Sequence, residues 1–259
     1  MNAASFTAGW KSTKTMKKLT IILLLAFVAL GTARAQETYF QKEQMPDLVQ
    51  CLPPPPDTLG TDFDQDVLRY MWGKKMRQNA ARAQEADRDA IWNLDTLAAI
   101  FSEPFGLRID PVNTPDIYKA FVKGVESIAV IRILPKAHYH RIRPFEYFQE
   151  HMLTAWEEDS LRGEGSYPSG HTIRGWAAAL VLAQINPAAS NALFARGWRY
   201  GENRVIVGAH WQSDVNASRP AASIGYAFLQ SCPAYKADIE KARKEFLRLT
   251  EKRSCLFSK

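Results

Sequence analysis

The 259-residue sequence has three cysteines and lacks the patterns of a β-rich or membrane-spanning protein. Beyond residue 35, no apolar run reaches the roughly 20 residues that a helix needs to cross a bilayer. No segment alternates apolar and polar residues with the period of two that marks a half-buried strand. None of Cys51, Cys232 and Cys255 lies beside a histidine in a metal or nucleophile pattern, so we expect structural roles for them.

The first 35 residues contain no acidic residue and resemble a secretory leader. Two lysines precede a largely apolar run at 19–30, which is too short to span a bilayer comfortably, and small residues at 33–35 suit a signal peptidase. We predict a cleaved signal peptide over residues 1–35, a mature chain that begins at Gln36, and Met16 as an alternative start to Met1. A single domain would occupy residues 36–259.

Removing the leader changes the charge of the protein. Its five basic residues account for most of the formal net charge of +6, and the mature chain is left with +1. That charge excludes the broad basic field that binds nucleic acid polymers, although a local basic pocket remains compatible with it. Export also implies an oxidising compartment, where one disulfide can form, and Cys232 with Cys255 is the pair we favour.

The remaining patterns predict helices after an extended, proline-rich stretch at 36–60. Apolar residues recur at helical spacing, and Thr114, Pro115 and Asp116 form a typical helix start. Pro135 is expected to end that helix, and Pro220 to bend or break a later one. We therefore predict an all-α domain with helices near 62–92, 95–101, 114–135, 172–185, 188–207, 210–229 and 233–253, and a helix or ordered loop at 145–160.

A loop of small residues leads into the apolar helix at 172–185 and contains Ser169, Gly170 and His171. Backbone N–H groups at a helix start, together with a serine hydroxyl, can bind an anion such as phosphate. His171 would add a group that exchanges protons near neutral pH. Ordinary helix capping and a structural histidine explain the same residues equally well.

Two further stretches place charged groups near predicted helix ends. Lys136 and Arg143 lie just beyond the helix that Pro135 is expected to close, and Arg204 precedes His210 by six residues. Asp214 follows His210 by four, so on a helix its carboxylate can accept a hydrogen bond from one ring nitrogen and leave the other free as a nucleophile. A simple surface pair of histidine and aspartate is the alternative.

In this order the three stretches resemble the signature of the phosphatidic acid phosphatase type 2 and vanadium haloperoxidase superfamily. Within it, the chain most resembles the class A bacterial non-specific acid phosphatases, over most of the mature sequence. The residues that carry the signature are Lys136, Arg143 and Pro144, then Pro168, Ser169, Gly170 and His171, then Arg204, His210 and Asp214.

The resemblance implies a compact helical bundle that hydrolyses phosphomonoesters of small molecules with broad specificity in the periplasm. It also implies that His210 forms a phosphohistidine, that Asp214 orients His210, and that His171 protonates the leaving alcohol. No metal or cofactor would be needed, because cationic side chains bind the phosphate. Self-association into a homo-oligomer and side activity as a phosphotransferase are expected too. The phosphate ligands would be Lys136, Arg143, Ser169, Gly170 and Arg204.

Two alternatives remain at this point. A vanadate-dependent haloperoxidase uses a similar pocket, but such chains are typically much longer. A periplasmic phosphate-binding protein would explain the basic residues, but binding alone does not need His171 together with the pair of His210 and Asp214. The sequence departs from the family at Asn203, where serine is usual, and this leaves the contact of that residue in doubt.

Overall fold

The computed structural model describes residues 38–257, with side chains described up to residue 251. Within that part of the chain every regular element is helical, which confirms the predicted all-α class. The predicted signal peptide lies outside the described residues. The α-helices are α1 Leu48–Cys51, α2 Thr61–Met76, α3 Ala80–Asp89, α4 Leu94–Phe105, α5 Pro115–Ala129, α6 Ile133–Tyr139, α7 Pro144–Tyr147, α8 Glu158–Leu161, α9 Gly170–Ile185, α10 Ser190–Val207, α11 Gln212–Leu229 and α12 Pro233–Phe257.

Helix α9 is the centre of the fold. It packs against α5, α10 and α11, so it is covered on most of its circumference. Its apolar residues are buried almost completely, which explains why the sequence shows no polar face here. Since α9 is fixed on several sides, the loop that precedes it is also held in a defined position.

The region predicted as one helix over 62–92 forms two, α2 and α3. The break at 77–79 arises because the Asn79 side chain accepts a hydrogen bond from the backbone N–H of Arg82 and so starts a new helix. The stretch at 36–60 is less extended than expected, since a 3₁₀ turn at Lys42–Gln44 and helix α1 precede the prolines.

Proline residues disturb the helices less than predicted. A 3₁₀ turn, Val130–Arg132, follows α5, and the chain then continues as α6 with Pro135 at its third position. Proline is tolerated there because the first N–H groups of a helix have no partner within it. Helix α11 begins at Gln212, two residues later than predicted, and runs unbroken through Pro220.

The described residues also bear on the predicted disulfide and on whether a helix could span a membrane. Among the described side chains, neither Cys51 nor Cys232 is bonded to another cysteine, and the side chain of Cys255 lies outside them, so a bond between Cys232 and Cys255 stays a prediction. Between residues 38 and 257, no helix is both long enough and apolar enough to cross a membrane.

Candidate active site

A cavity of about 290 Å³ brings the three sequence stretches together. Five of the eight predicted site residues line it, namely Lys136, Arg143, Gly170, His171 and His210. The other three, Ser169, Arg204 and Asp214, do not line it. The remaining lining residues are Ala90, Trp92, Arg132, Trp156, Glu157, Ser160, Leu161 and Glu164.

Helix ends deliver these side chains to the cavity. Lys136 belongs to α6, Arg143 immediately precedes α7, and His171 is the second residue of α9. His210 lies in the short link between α10 and α11. Close packing of the α6 backbone requires glycine at position 165, because a Cβ there would approach the carbonyl oxygen of Lys136 to 2.6 Å.

Lys136 and Arg143 are buried cations that share one carboxylate. The Nζ of Lys136 donates to the carbonyl oxygen of Gly165 and lies 3.5 Å from Oε1 of Glu164. The other oxygen of Glu164 lies 3.7 Å from Nη2 of Arg143. Burial, followed by the charge of Arg143, lowers the pKa of Lys136 to about 7. The charge on Lys136 therefore changes near neutral pH.

The contacts of His210 define its tautomer. Its Nε2 lies 3.1 Å from Nη1 of Arg143, and arginine can only donate, so Nε2 accepts and carries no proton. Nδ1 then bears the proton and lies 3.3 Å from Oγ of Ser166 and 3.4 Å from Oδ2 of Asp214. Burial, with the charges of Arg143 and Lys136, holds the pKa of His210 well below its ordinary value. A neutral imidazole with an unprotonated Nε2 is a nucleophile.

The predicted contact between His210 and Asp214 is present, but a shared helix does not produce it. The two residues do not share a helix face, since His210 precedes α11 and Asp214 lies in its first turn. The carboxylate is instead held by three donors: the Trp211 N–H at 2.8 Å, the Ser166 hydroxyl at 2.5 Å and Nη1 of Arg141 at 2.6 Å. Asp214 thus acts on His210 both directly and through Ser166.

His171 is oriented by the backbone. Its Nε2 lies 3.0 Å from the carbonyl oxygen of Ala90, and because that oxygen can only accept, Nε2 carries the proton and Nδ1 is the basic nitrogen. The ring of Trp92 packs edge to face on the imidazole, with 4.7 Å between centroids. Burial and the charge of Arg204 hold the pKa of His171 well below its ordinary value.

Arg204 contacts Glu157, which lines the cavity, and Ser169 precedes Gly170, which also lines it. Nη2 of Arg204 is 3.0 Å from both oxygens of Glu157, whereas its buried Nε and Nη1 have no hydrogen-bond partner among the described residues. Such donors fit an anion better than an apolar core. The Oγ of Ser169 accepts from the N–H and the hydroxyl of Thr172, so it caps α9 and can still donate its own proton.

Sequence reasoning missed several residues that support the site, including Ser166, Arg141 and Glu157. Arg141 bridges Asp214 and Asp66, at 2.6 and 2.7 Å. Ser166 lies in the same loop as Ser169 and His171, and Arg141 precedes Arg143 by two, so nearness to the motifs was a usable signal. Asn203, the departure from the family pattern, donates to Asp89 at 2.8 Å. Asn203 therefore has a structural contact of its own.

Comparison with known proteins places the chain in a family. Residues 120–239 match the model of the PAP2 superfamily. A non-specific acid phosphatase of Providencia stuartii is 38% identical over 84% of this chain and 88% of its own length. One of Salmonella typhimurium is 34% identical over 88% of this chain and 91% of its own, and an acid phosphatase of Zymomonas mobilis is 29% identical over 74% and 72%. The chain therefore belongs to the non-specific acid phosphatases of the PAP2 superfamily.

Proposed function

We propose that this protein hydrolyses phosphomonoesters of small molecules through a phosphohistidine on His210. The observation that carries the proposal is the tautomer of His210, whose unprotonated Nε2 lies beside Arg143 in the cavity that His171 also lines. A binding protein would need the cations but not a histidine that is kept neutral and oriented by a carboxylate. The phosphate group belongs to the substrate and is transferred in the reaction, so it is not a cofactor of the protein.

In the first step, the lone pair on Nε2 of His210 attacks phosphorus in line with the ester bond. The phosphorus–oxygen bond breaks, and the leaving alkoxide takes a proton from His171. Lys136, Arg143 and Arg204, with the Ser169 hydroxyl and the Gly170 N–H, bind the three other phosphate oxygens and stabilise their charge. Positive charge that forms on the His210 ring is stabilised by Asp214.

In the second step, His171 returns to its acidic form by taking a proton from water. The resulting hydroxide attacks phosphorus, the phosphorus–nitrogen bond breaks, and inorganic phosphate leaves. His171 must be protonated before the first step, although burial in the free enzyme favours its neutral form. A bound phosphate dianion raises the pKa of His171, so we expect best activity at acidic to neutral pH.

Secretion and self-association belong to the same proposal. The pattern of residues 1–35 supports export through a cleaved signal peptide. The proposal therefore includes a periplasmic location for this protein. The mature chain would work as a homo-oligomer, without a membrane span. Mass spectrometry of the protein purified from cells tests the cleavage, because the proposal requires Gln36 at the amino terminus.

Hydrolysis and the covalent intermediate are tested together. Steady-state assays over a panel of phosphate esters, with EDTA present, should show turnover of many of them. Protein mixed with ³²P-labelled ester and quenched within milliseconds in alkaline denaturant should carry label, since the alkaline quench preserves phosphohistidine. Absence of turnover on every ester would overturn the activity. Turnover without any trapped label would exclude the phosphohistidine.

A further inference from the structure

The carbonyl that orients His171 comes from the end of α3, next to a fully buried acid. Asp89 is the last residue of α3, and its side chain is 0% exposed. Ala90 follows it and supplies the oxygen that lies 3.0 Å from Nε2 of His171. A buried carboxylate is costly unless it is paired, so its partners have a defined place in the fold.

Two side chains of α10 hold the carboxylate of Asp89. Nη2 of Arg196 donates to its two oxygens at 2.6 and 2.8 Å, and Nδ2 of Asn203 donates to Oδ2 at 2.8 Å. Charge-assisted hydrogen bonds of this kind are about twice as strong as neutral ones. They attach the C-terminal end of α3 to α10, one residue before Ala90.

The chain is less firmly enclosed on the other side of Ala90. Residues 91–93 are all exposed, whereas Asp89 and Ala90 are buried. The paired carboxylate of Asp89 is therefore the buried polar attachment nearest to the carbonyl that His171 contacts. If this attachment is lost, the end of α3 can shift and the distance between the carbonyl and the imidazole changes.

We propose that Asp89 is a positioning residue for the proton donor, because its paired side chain holds the Ala90 carbonyl against Nε2 of His171. That carbonyl keeps a proton on Nε2, so Nδ1 is the nitrogen that exchanges a proton in the reaction. The inference rests on the proposed function, since it assigns a support to the acid of the same reaction. It also gives a role to Asn203, the departure from the family pattern, as a partner of Asp89.

Asp89→Asn is the first test, because asparagine has nearly the same shape but lacks the charge that Arg196 binds. We expect kcat/KM on an alkyl phosphate such as glycerol 1-phosphate to fall about tenfold, the lower range for loss of a supporting contact. Nitrophenyl phosphate should lose at most about twofold, because nitrophenolate leaves without a proton. The comparison uses kcat/KM because it covers the steps up to departure of the leaving group.

Glu85→Gln is the matched control. Glu85 lies one turn earlier on α3, and Nε of Arg199 on α10 donates to its carboxylate at 2.8 Å. The variant removes an ion pair between the same two helices but leaves the end of α3 intact, so the ratio of kcat/KM for the two esters should stay at the wild-type value. Equal losses on both esters in Asp89→Asn would overturn the proposal, and so would the same change of ratio in Glu85→Gln.

Arg196→Gln keeps the proposal testable if thermal unfolding shows that Asp89→Asn does not fold. Glutamine leaves Asp89 its contact with Asn203 but removes the charged partner. The alkyl ester should again lose more kcat/KM than the nitrophenyl ester. A folded Arg196→Gln protein with the wild-type ratio would overturn the proposal.

Nitrogen chemical shifts separate this inference from the proposed function, because they need no turnover. With ¹⁵N in the five histidines, long-range ¹H–¹⁵N spectra near pH 7 report which ring nitrogen carries the proton, and His171→Ala identifies the signals of His171. We expect the proton on Nε2 in the wild type and in Glu85→Gln, and a mixture of tautomers in Asp89→Asn. A wild-type pattern in Asp89→Asn would overturn the positioning role even in an active enzyme. Absence of turnover on every ester, with the expected spectra, would contradict the proposed function alone.

Discussion

The two histidines that line the cavity differ in what holds the ring nitrogen that faces away from the reaction. In His210 this nitrogen is Nδ1, beside the carboxylate of Asp214, whereas in His171 it is Nε2, beside the carbonyl of Ala90. A carboxylate stabilises an imidazole that becomes positively charged much better than a neutral carbonyl does. His210 is thus suited to form a bond to phosphorus, and His171 is suited to transfer a proton to the leaving group.

Removing the nucleophile should have the largest effect. His210→Ala deletes the only imidazole whose Nε2 the structure places beside Arg143, and we expect kcat to fall at least about 10⁴-fold on every ester. Steady-state rates and the labelled-phosphate trap measure it, and no label should remain on the variant. The exposed His138 provides the control, since His138→Ala should behave as the wild type. Trapped label in His210→Ala would assign the nucleophile to another residue.

Removing the proton donor should have a smaller effect that depends on the substrate. We expect His171→Ala to lower kcat about 10²- to 10⁴-fold on alkyl phosphates, where the leaving alkoxide needs a proton. Nitrophenyl phosphate should lose less, because nitrophenolate is a stable anion. The comparison is made by measuring kcat for both esters in the variant and the wild type. Equal losses on the two would mean that His171 does not act as the acid.

The sequence predicted which residues meet in the site more fully than it predicted the contacts that these residues make. The all-α class and the meeting of residues as far apart as Lys136 and His210 followed from motifs and helical spacing. The contact between His210 and Asp214 was predicted, but not its geometry, because the helix begins only after His210 and the carboxylate also binds the Trp211 N–H. Spacing cannot show which donors converge on a carboxylate.

Proline residues were expected to end or break helices, yet Pro135 and Pro220 both lie within them.

Burial was the other property that the sequence did not reveal. Arg143 and Arg204 are among the largest fully buried side chains. Their partners, carbonyl oxygens for Arg143 and the carboxylate of Glu157 for Arg204, come from short helical turns and links whose path depends on tertiary packing.

Ser166, to which the motifs assigned no role, allows a further test of how His210 and His171 differ. Its hydroxyl donates to Asp214 and lies 3.3 Å from Nδ1 of His210, so it helps fix the ring that forms the bond and makes no contact with His171. We expect Ser166→Ala to lower kcat about tenfold, the lower range for loss of a supporting hydrogen bond at a catalytic site.

The pattern across substrates distinguishes this role from a general loss of stability. Ser166→Ala should slow alkyl and nitrophenyl phosphates by the same factor, because Ser166 supports the nucleophile, which is the same for both esters, and not the proton donor. Thermal unfolding of the variant provides the control, and Ser166→Thr, which keeps the hydroxyl, should recover part of the rate. A loss confined to alkyl phosphates would place Ser166 on the side of His171.

The smallest effect concerns Lys136, which changes charge in a pH range where both histidines are neutral in the protein without a bound anion. The pKa values of His171 and His210 are held well below 6.5, while that of Lys136 is lowered to about 7. Its protonated form is present below pH 7 and is lost as pH rises. If anion binding requires that form, the Kd of an anion should rise about fivefold between pH 7 and pH 8, because the protonated fraction falls from one half to about one tenth.

Sulfate is the suitable probe, since its charge is constant from pH 6.5 to 9 and that of phosphate is not. Calorimetric titrations across this range should show the rise in Kd for the wild type and the uptake of a proton on binding above pH 7. Lys136→Arg should remove the part of the pH dependence that comes from Lys136, because arginine stays charged throughout, and any dependence that remains belongs to His171. A flat wild-type profile would mean that Lys136 either does not contact the anion or keeps its charge in the buried site. If Lys136 does not contact the anion, Arg143 and Arg204 remain as the cationic residues that bind it.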